Sequence, residues 1–168
     1  ALLSVSIQLL LESLAGSGEE GARREGVCLE DPVEVLRTLN RRFPVMAQSG
    51  QFFTMLYGVL DPQQGLFHYA RAGHPWPVVV ESRGATLLEE GSGSALGILP
   101  DVHLEQRTLA LEPGAMVLLY SDGVTEARSA GDRRQEFGTE RLLGALDRVR
   151  GRGVEVAVQE LQRALLDF

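Results

Sequence analysis

One carboxylate in this chain stands where a metal ligand is expected. Asp122 follows the apolar run at residues 117–120, which has the composition of a buried strand, and Gly123 comes directly after it. An acidic residue at the end of a strand lies at a sheet edge, and a glycine allows the backbone to turn sharply there. Carboxylate oxygens suit Mg²⁺ and Mn²⁺. The segment therefore predicts a metal ligand at Asp122, with a helix cap or an Asx turn as the alternative.

Three further residues are candidates for positioning this carboxylate. Gly123 is its direct neighbour, and Glu126 lies four residues after it. Glu126 either supports the metal ligand or, as an acidic residue at a helix N-terminus, interacts with the helix dipole. His74, between Gly73 and Pro75, could orient a loop near the site, but a turn histidine with satisfied hydrogen bonds is the favoured interpretation.

Other catalytic classes lack the residues they need. The 16 basic residues are all Arg, and a chain without Lys excludes Schiff-base enzymes and Walker-type nucleotide sites. Cys28 is the single cysteine, and Glu34 occupies the position where a cysteine phosphatase needs an Arg, so Cys28 is interpreted as a structural thiol. No serine lies in a G-x-S-x-G motif, and the three histidines lack metal-binding spacing. Residues 16–21 match G-x-G-x-x-G, but they follow a helical pattern instead of a strand.

Composition fits one globular domain. The chain has 168 residues, 44 % of them hydrophobic, and a net charge of −7, which excludes a nucleic-acid-binding arm. No apolar run approaches the ~18 residues of a membrane span, so none is predicted. The single cysteine favours a reducing, cytoplasmic location.

The hydrophobic periodicity predicts four helices around a run of strands. One helix is already under way at Ala1, and Asp31, Pro32 and Glu34 form a capping box with Pro at N1 that opens a second helix ending near Phe43. A Gly-rich loop covers residues 15–26 between them. The other two helices cover residues 139–149 and 154–165. The predicted strands cover residues 51–60, 66–70, 77–81, 85–90, 106–111 and 115–120.

The connections between these strands are short, which requires antiparallel pairing. In particular, strands 106–111 and 115–120 are predicted to pair with each other across the turn at residues 112–114. The resulting fold class is α+β, with helices packed on a mainly antiparallel sheet.

Several short motifs occur along the chain in one order. They are Phe53-Thr54, Asp61 with Gly65, Ala72-Gly73-His74-Pro75, Leu96-Gly97-Ile98, Leu111-Glu112-Pro113-Gly114, residues 118–127 and Phe137-Gly138. In this order they resemble the SpoIIE/RsbU-type serine phosphatases of bacteria, a branch of the metal-dependent protein phosphatase (PPM) superfamily. The resemblance spans roughly the whole chain, and residues 72–75 and 120–127 are its most specific parts.

The resemblance implies an αββα sandwich, in which two antiparallel sheets are flanked by helices, with a binuclear Mn²⁺ or Mg²⁺ site. In such enzymes the metals activate a bridging water that attacks phosphoserine or phosphothreonine directly. Asp122 matches a metal ligand of the family. The family's other ligands lie in segments before the helix at Ala1 and beyond the last helix. Residues 1–168 are therefore expected to be one phosphatase domain, truncated at both ends, without its first strands and its last strand, and inactive alone; no catalytic residue is assigned.

The resemblance also implies partners. The expected substrate is a phosphorylated anti-anti-sigma-type protein, and the expected neighbour is an upstream sensory or receiver domain; a homodimer is a further possibility. The alternative is a non-catalytic, degenerate phosphatase that serves as an interaction or dimerisation module.

Overall fold

The structure is a computed structural model that describes residues 23–24, 27–43 and 52–168. The helix predicted from Ala1 and the motif at residues 16–21 lie outside the described residues. The chain divides into two compact units, Ala1–Gly73 with Gly91–Leu109, and His74–Glu90 with Ala110–Phe168.

The described residues form eight strands and four helices. In chain order these are β1 (Arg23–Arg24), β2 (Val27–Cys28), α1 (Pro32–Arg42), β3 (Met55–Asp61), β4 (Leu66–Ala72), β5 (Val78–Glu81), β6 (Gly84–Leu87), β7 (Gln106–Ala110), β8 (Met116–Leu118), α2 (Asp122–Thr125), α3 (Gly138–Asp147) and α4 (Val154–Leu166).

The first unit contains the β1–β2 ribbon, α1 and the sheet β3-β4-β7. The ribbon corrects the predicted loop at residues 15–26, because Arg23–Arg24 pairs antiparallel with Val27–Cys28. Strands β3 and β4 form the predicted antiparallel hairpin, with Met55 opposite Ala72 and Asp61 opposite Leu66. Helix α1 supplies the centre of this unit's core, which contains Val35, Leu36, Leu39, Ala70, Ala72, Leu96, Val102 and Leu104.

The start of α1 confirms one half of the predicted capping box. Asp31 is the N-cap, and its Oδ1 accepts hydrogen bonds from the backbone N–H groups of Val33 (2.9 Å) and Glu34 (3.0 Å). Glu34 does not reach back to the N–H of the cap residue. Its Oε2 accepts from the N–H of Cys28 at 2.9 Å instead, so this carboxylate joins the helix to β2.

The second unit contains the sheet β6-β5-β8 and helices α2, α3 and α4. β5 is the central strand and pairs antiparallel with β6 and with β8. Its three valines are buried, and because successive side chains point to opposite faces, both faces of this strand are shielded from solvent. The core of this unit is formed by Val78, Val80, Phe137, Leu142, Leu146, Val149 and Ala157.

The predicted pairing of strands 106–111 and 115–120 is wrong. β7 adjoins β4 in one sheet, whereas β8 pairs with β5 in the other. Every second residue of β7 is exposed, while Met116 and Leu118 of β8 pack against the core of the second unit. A turn sequence such as Glu112-Pro113-Gly114 reverses the chain, but burial decides which strand each segment joins.

The fold class is α+β, with antiparallel sheets and helices, as predicted. No helix among the described residues combines the length and the apolar character needed to cross a membrane.

Candidate functional site

Strand β8 places the candidate metal ligand. Leu118 lies opposite Val78, and Met116 lies opposite Val80. Val78 and Val80 are almost fully buried, so this register fixes β8 against the core of the second unit. The chain then leaves the sheet, and Ser121, Asp122 and Gly123 are all exposed. Asp122 thus lies four residues after the last residue of β8, which ends two residues earlier than the predicted strand.

Asp122 is the first residue of α2, and one of its two carboxylate oxygens accepts a hydrogen bond. Its Oδ1 accepts a hydrogen bond from the N–H of Gly123 at 2.9 Å, and no described residue donates to Oδ2. The N-cap position belongs to Ser121, whose side chain makes no capping bond. The cap and Asx-turn alternatives are therefore wrong, because an Asx turn requires a bond to the N–H two residues later. One carboxylate oxygen remains open to solvent.

The backbone carbonyl of Asp122 is fixed by two hydrogen bonds. It accepts a hydrogen bond from the N–H of Glu126 at 2.8 Å and another from Oγ1 of Thr125 at 3.2 Å. The side chains of Tyr120, Val124 and Ala127 pack against the core of this unit, and burial raises the pKa of the Tyr120 hydroxyl. The residues on both sides of Asp122 are anchored, so its carboxylate has a defined position.

Gly123 is not required by the local backbone, which corrects the predicted sharp turn. It lies in the helical turn α2, and its φ falls outside the left-handed region that favours glycine. A Cβ added at this position would meet only Oγ of Ser121, at 3.5 Å. An alanine would therefore fit here.

The two other candidate positioning residues, Glu126 and His74, differ in exposure. Glu126 is exposed and lies at the C-cap of α2, so its predicted interaction with a helix N-terminus is wrong. Its carboxylate makes no hydrogen bond or ion pair with a described residue. His74 is half-buried, in the segment that precedes β5. The support that Glu126, His74 and Gly123 would give to a metal ligand remains a prediction.

The described residues do not by themselves fit a two-metal centre. Within residues 23–24, 27–43 and 52–168, no three His, Cys, Asp or Glu side chains converge in a way that could hold a metal ion. Two other aspartates in the second unit serve the backbone. Asp132 accepts from the N–H of Arg134 at 3.0 Å, and Asp147 accepts from the N–H of Ala85 at 2.7 Å. Asp122 offers one free carboxylate oxygen, which alone is too few ligands for a metal centre.

A cleft of about 520 Å³ in the first unit is lined in part by Glu30, Asp61 and His68. Asp61 and His68 have structural partners, whereas the exposed Glu30 has none among the described residues. Asp61 accepts from the backbone N–H groups of the β3–β4 turn, and Nδ1 of His68 lies 2.8 Å from Oγ1 of Thr108. The cleft therefore offers no free catalytic pair.

Sequence reasoning missed a cluster of arginines close to Asp122 in the chain. Arg128, Arg133 and Arg134 are exposed, and no ion pair within 4 Å connects them to a described residue. Two adjacent arginines in a turn that contains Gly and Asp indicate a local positive surface. The net charge of the whole chain, −7, does not reveal such a local surface.

Comparison with known proteins identifies the family. The model of stage II sporulation protein E (SpoIIE) matches residues 1–168. Protein IcfG of Synechocystis sp. is 35 % identical over 95 residues, which are 56 % of this chain and 15 % of IcfG. Phosphoserine phosphatase RsbU of Bacillus subtilis is 36 % identical over 99 residues, which are 58 % of this chain and 30 % of RsbU. The chain thus covers less than a third of either relative.

Solved structures show the same fold. A Mycobacterium tuberculosis protein with RsbU and RsbW domains matches with a TM-score of 0.61 and 21 % identity, covering 96 % of this chain and 40 % of that one. The phosphatase domain of SpoIIE from Bacillus subtilis, presoaked with Mn, matches with a TM-score of 0.53 and 12 % identity, covering 96 % and 65 %. Together with the match over all 168 residues, these findings show that the chain belongs to the SpoIIE family of phosphatases.

Proposed function

We propose that this chain forms the core of a metal-dependent phosphatase domain that hydrolyses phosphoserine or phosphothreonine in a regulatory protein. The observation that carries the proposal is the carboxylate of Asp122, which is exposed after β8 with one oxygen free of protein hydrogen bonds. An anchored carboxylate that faces solvent is suited to bind a hard cation. Membership of a phosphatase family indicates the reaction in which such a cation would act, namely phosphate-ester hydrolysis.

In this proposal the cofactor is Mn²⁺ or Mg²⁺, and Asp122 is one of its ligands. The remaining ligands belong to segments outside the described residues, and residues 1–168 belong to a single phosphatase domain. Gly123, Glu126 and His74 surround or support the ligand. The Mn-presoaked SpoIIE phosphatase domain, a neighbour in fold, supports the choice of metal.

The proposed substrate is a phosphorylated protein of the anti-anti-sigma type in bacterial signalling. RsbU is a phosphoserine phosphatase, and the Mycobacterium tuberculosis neighbour joins an RsbU domain to an RsbW domain. The protein acts in the cytoplasm, under the control of a sensory or receiver domain, and a homodimer is compatible with this arrangement.

A second candidate function is a non-catalytic interaction module. It is favoured by the lack of a three-residue metal cluster among residues 23–24, 27–43 and 52–168. A degenerate phosphatase of this kind would bind its phosphoprotein or dimerise, and it would release no phosphate.

Phosphate release from a phosphoserine protein distinguishes the two functions. The full-length gene product is treated with a chelator and then assayed with and without added Mn²⁺. We expect release only with Mn²⁺. Binding of the phosphoprotein without release at any Mn²⁺ concentration would support the interaction module.

Metal titration of the 168-residue chain provides a second test. A lone carboxylate leaves the ion mostly hydrated, so we expect calorimetry to give a Kd for Mn²⁺ of about 1 mM or weaker. A micromolar Kd would show that the chain itself contains a complete metal site.

A further inference from the structure

Residues 128–136, which follow α2, form a short hairpin that we call the arginine hairpin. Arg128 and Glu136 form an antiparallel bridge, and the N–H of Ser129 donates to the carbonyl of Gln135 at 3.1 Å. At the base, the N–H of Phe137 donates to the carbonyl of Ala127 at 2.8 Å. These two backbone hydrogen bonds constitute the bridge, and they define the path of the hairpin.

Both ends of the hairpin are fixed. Phe137 at its base is 1 % exposed and stacks edge to face on Phe168, with ring centroids 5.5 Å apart. At the tip, the carbonyl of Asp132 accepts from the N–H of Gln135 at 2.9 Å, and Oδ1 of Asp132 accepts from the N–H of Arg134 at 3.0 Å. The tip is therefore rigid, and the Asp132 carboxylate is used to build it.

The hairpin presents unpaired positive charge. Arg128, Arg133 and Arg134 are exposed, and no acidic group of the described residues lies within 4 Å of their guanidinium groups. Some other arginines of this unit are paired with acidic groups, whereas the exposed Arg152 has no such partner among the described residues. Arg148 and Arg163, for example, lie 2.8 and 2.9 Å from Glu160.

The net charge of the hairpin is opposite in sign to that of the whole chain. The hairpin contains three arginines against Asp132 and Glu136, a balance of 3 − 2 = +1, although the whole chain carries −7. The net negative charge of the chain disfavours the approach of an acidic partner, and a local positive element favours approach at its own position.

We propose that the arginine hairpin binds an acidic segment of the phosphoprotein on which this phosphatase acts. This inference rests on the proposed function. Guanidinium groups form two parallel hydrogen bonds with a carboxylate or a phosphate, and a rigid tip loses little conformational freedom when it binds. The hairpin begins six residues after Asp122 in the chain. It docks the substrate beside the element that carries the proposed metal ligand.

The test compares two charge reversals of equal size in the full chain. The hairpin variant is Arg133→Glu with Arg134→Glu. The control is Arg150→Glu with Arg152→Glu, which changes the net charge equally at two exposed arginines in the turn between α3 and α4. The probe is a fluorescent synthetic phosphoserine peptide with acidic residues on both sides, and its anisotropy and association rate are followed at low and at physiological salt.

We expect the hairpin variant to bind the acidic peptide about tenfold more weakly, mainly through slower association, because exposed charges steer the encounter. We expect the control to change the affinity less than about twofold, and the difference to shrink as salt rises. Thermal melting of the hairpin variant should match that of the parent, since the backbone bonds of the hairpin do not involve the altered side chains. The control loses the exposed ion pair between Arg150 and Asp147 at 3.9 Å, so its stability should change by less than about 1 kcal/mol. Arg133→Gln with Arg134→Gln should give an intermediate loss.

Equal losses in the two variants would overturn the proposal, because the effect would then come from net charge alone. So would an unchanged affinity in the hairpin variant, or tighter binding of a single-stranded oligonucleotide of the same charge as the peptide.

The proposed hydrolysis and the proposed docking can be rejected independently of each other. If the full-length gene product releases no phosphate but the hairpin-dependent peptide binding persists, docking stands and hydrolysis is rejected. If it hydrolyses phosphoserine and the hairpin variant lowers kcat/KM no more than the control does, hydrolysis stands and docking is rejected.

Discussion

Oδ1 of Asn40 accepts a hydrogen bond from the backbone N–H of Gly97 at 2.8 Å, although the two residues are 57 positions apart. Nδ2 of the same side chain donates to the carbonyls of Leu99 and Pro100, at 2.9 Å each. Asn40 lies in the last turn of α1 and is only 4 % exposed. One buried amide thus fixes the loop at residues 97–100, whose apolar side chains Ile98 and Leu99 are half exposed.

Asn40→Ala should destabilise the chain by about 2–4 kcal/mol, because it leaves three backbone groups without their partner, one of them buried. Urea unfolding measures this loss. Arg41→Ala is the control. Arg41 is exposed, and among the described residues its side chain bonds only to Thr38 of its own helix, at 3.0 Å; the substitution should change stability by less than about 0.5 kcal/mol. Equal effects of the two substitutions would contradict the role given to Asn40.

The sequence predicts contacts between neighbouring residues better than contacts between residues far apart in the chain. The cap at Asp31 was predictable because Pro32 and Glu34 are adjacent to it, and its geometry follows from the helix end alone. The role of Asn40 was not, since its partners are 57 to 60 residues away. The wrong partner for β7 has the same origin, because a turn sequence determines chain reversal but not burial.

The same division holds for the candidate site. Exposure of Asp122 after β8 followed from an apolar run that ends in a carboxylate. The helical conformation of Gly123 did not follow, because a glycine is compatible with almost any φ. The dipole role predicted for Glu126 failed because α2 ends after four residues, and helix ends are poorly defined by sequence.

Two glycine substitutions should have opposite outcomes. A Cβ on Gly93 would collide with the carbonyl oxygen of Arg71 and lie 3.0 Å from Cδ2 of Leu104. Gly93→Ala should therefore cost at least about 2 kcal/mol. Gly123→Ala should be neutral or stabilising by up to about 1 kcal/mol, since alanine favours a helix. Thermal unfolding of both variants tests this, and a large destabilisation at Gly123 would refute the helical assignment.

Asp61 makes the stability of the β3–β4 hairpin depend on pH. A hydrogen bond from the backbone N–H of Gln64, supported by the N–H of Gln63, holds the pKa of this carboxyl below its usual 3.8. A carboxyl with a lowered folded-state pKa stabilises the fold above 3.8, and this contribution disappears as the pH falls through the lower folded value.

The melting temperature of Asp61→Ala should therefore lie below that of the parent at neutral pH, and the gap should close in acid. Asp61→Asn is the control. It retains an acceptor for the turn but cannot ionise, so its gap to Asp61→Ala should stay constant with pH. A parent gap that persists well below pH 3.8 would contradict the assignment.

We propose that the exposed carboxylate of Asp122, which follows β8, binds a catalytic metal. Asp122→Asn keeps the acceptor for the N–H of Gly123 and should leave the melting temperature unchanged. Asp101→Asn is the control, since Asp101 is an exposed aspartate outside the candidate site and outside the arginine hairpin.

The direct measurement is Mn²⁺-dependent phosphate release from a phosphoserine protein by the full-length gene product and by each variant. We expect Asp122→Asn to lower kcat/KM at least about a hundredfold, which corresponds to roughly 2.7 kcal/mol of transition-state stabilisation. We expect the control Asp101→Asn to change it less than about twofold. Undiminished Mn²⁺-dependent activity in a folded Asp122→Asn protein would contradict the account.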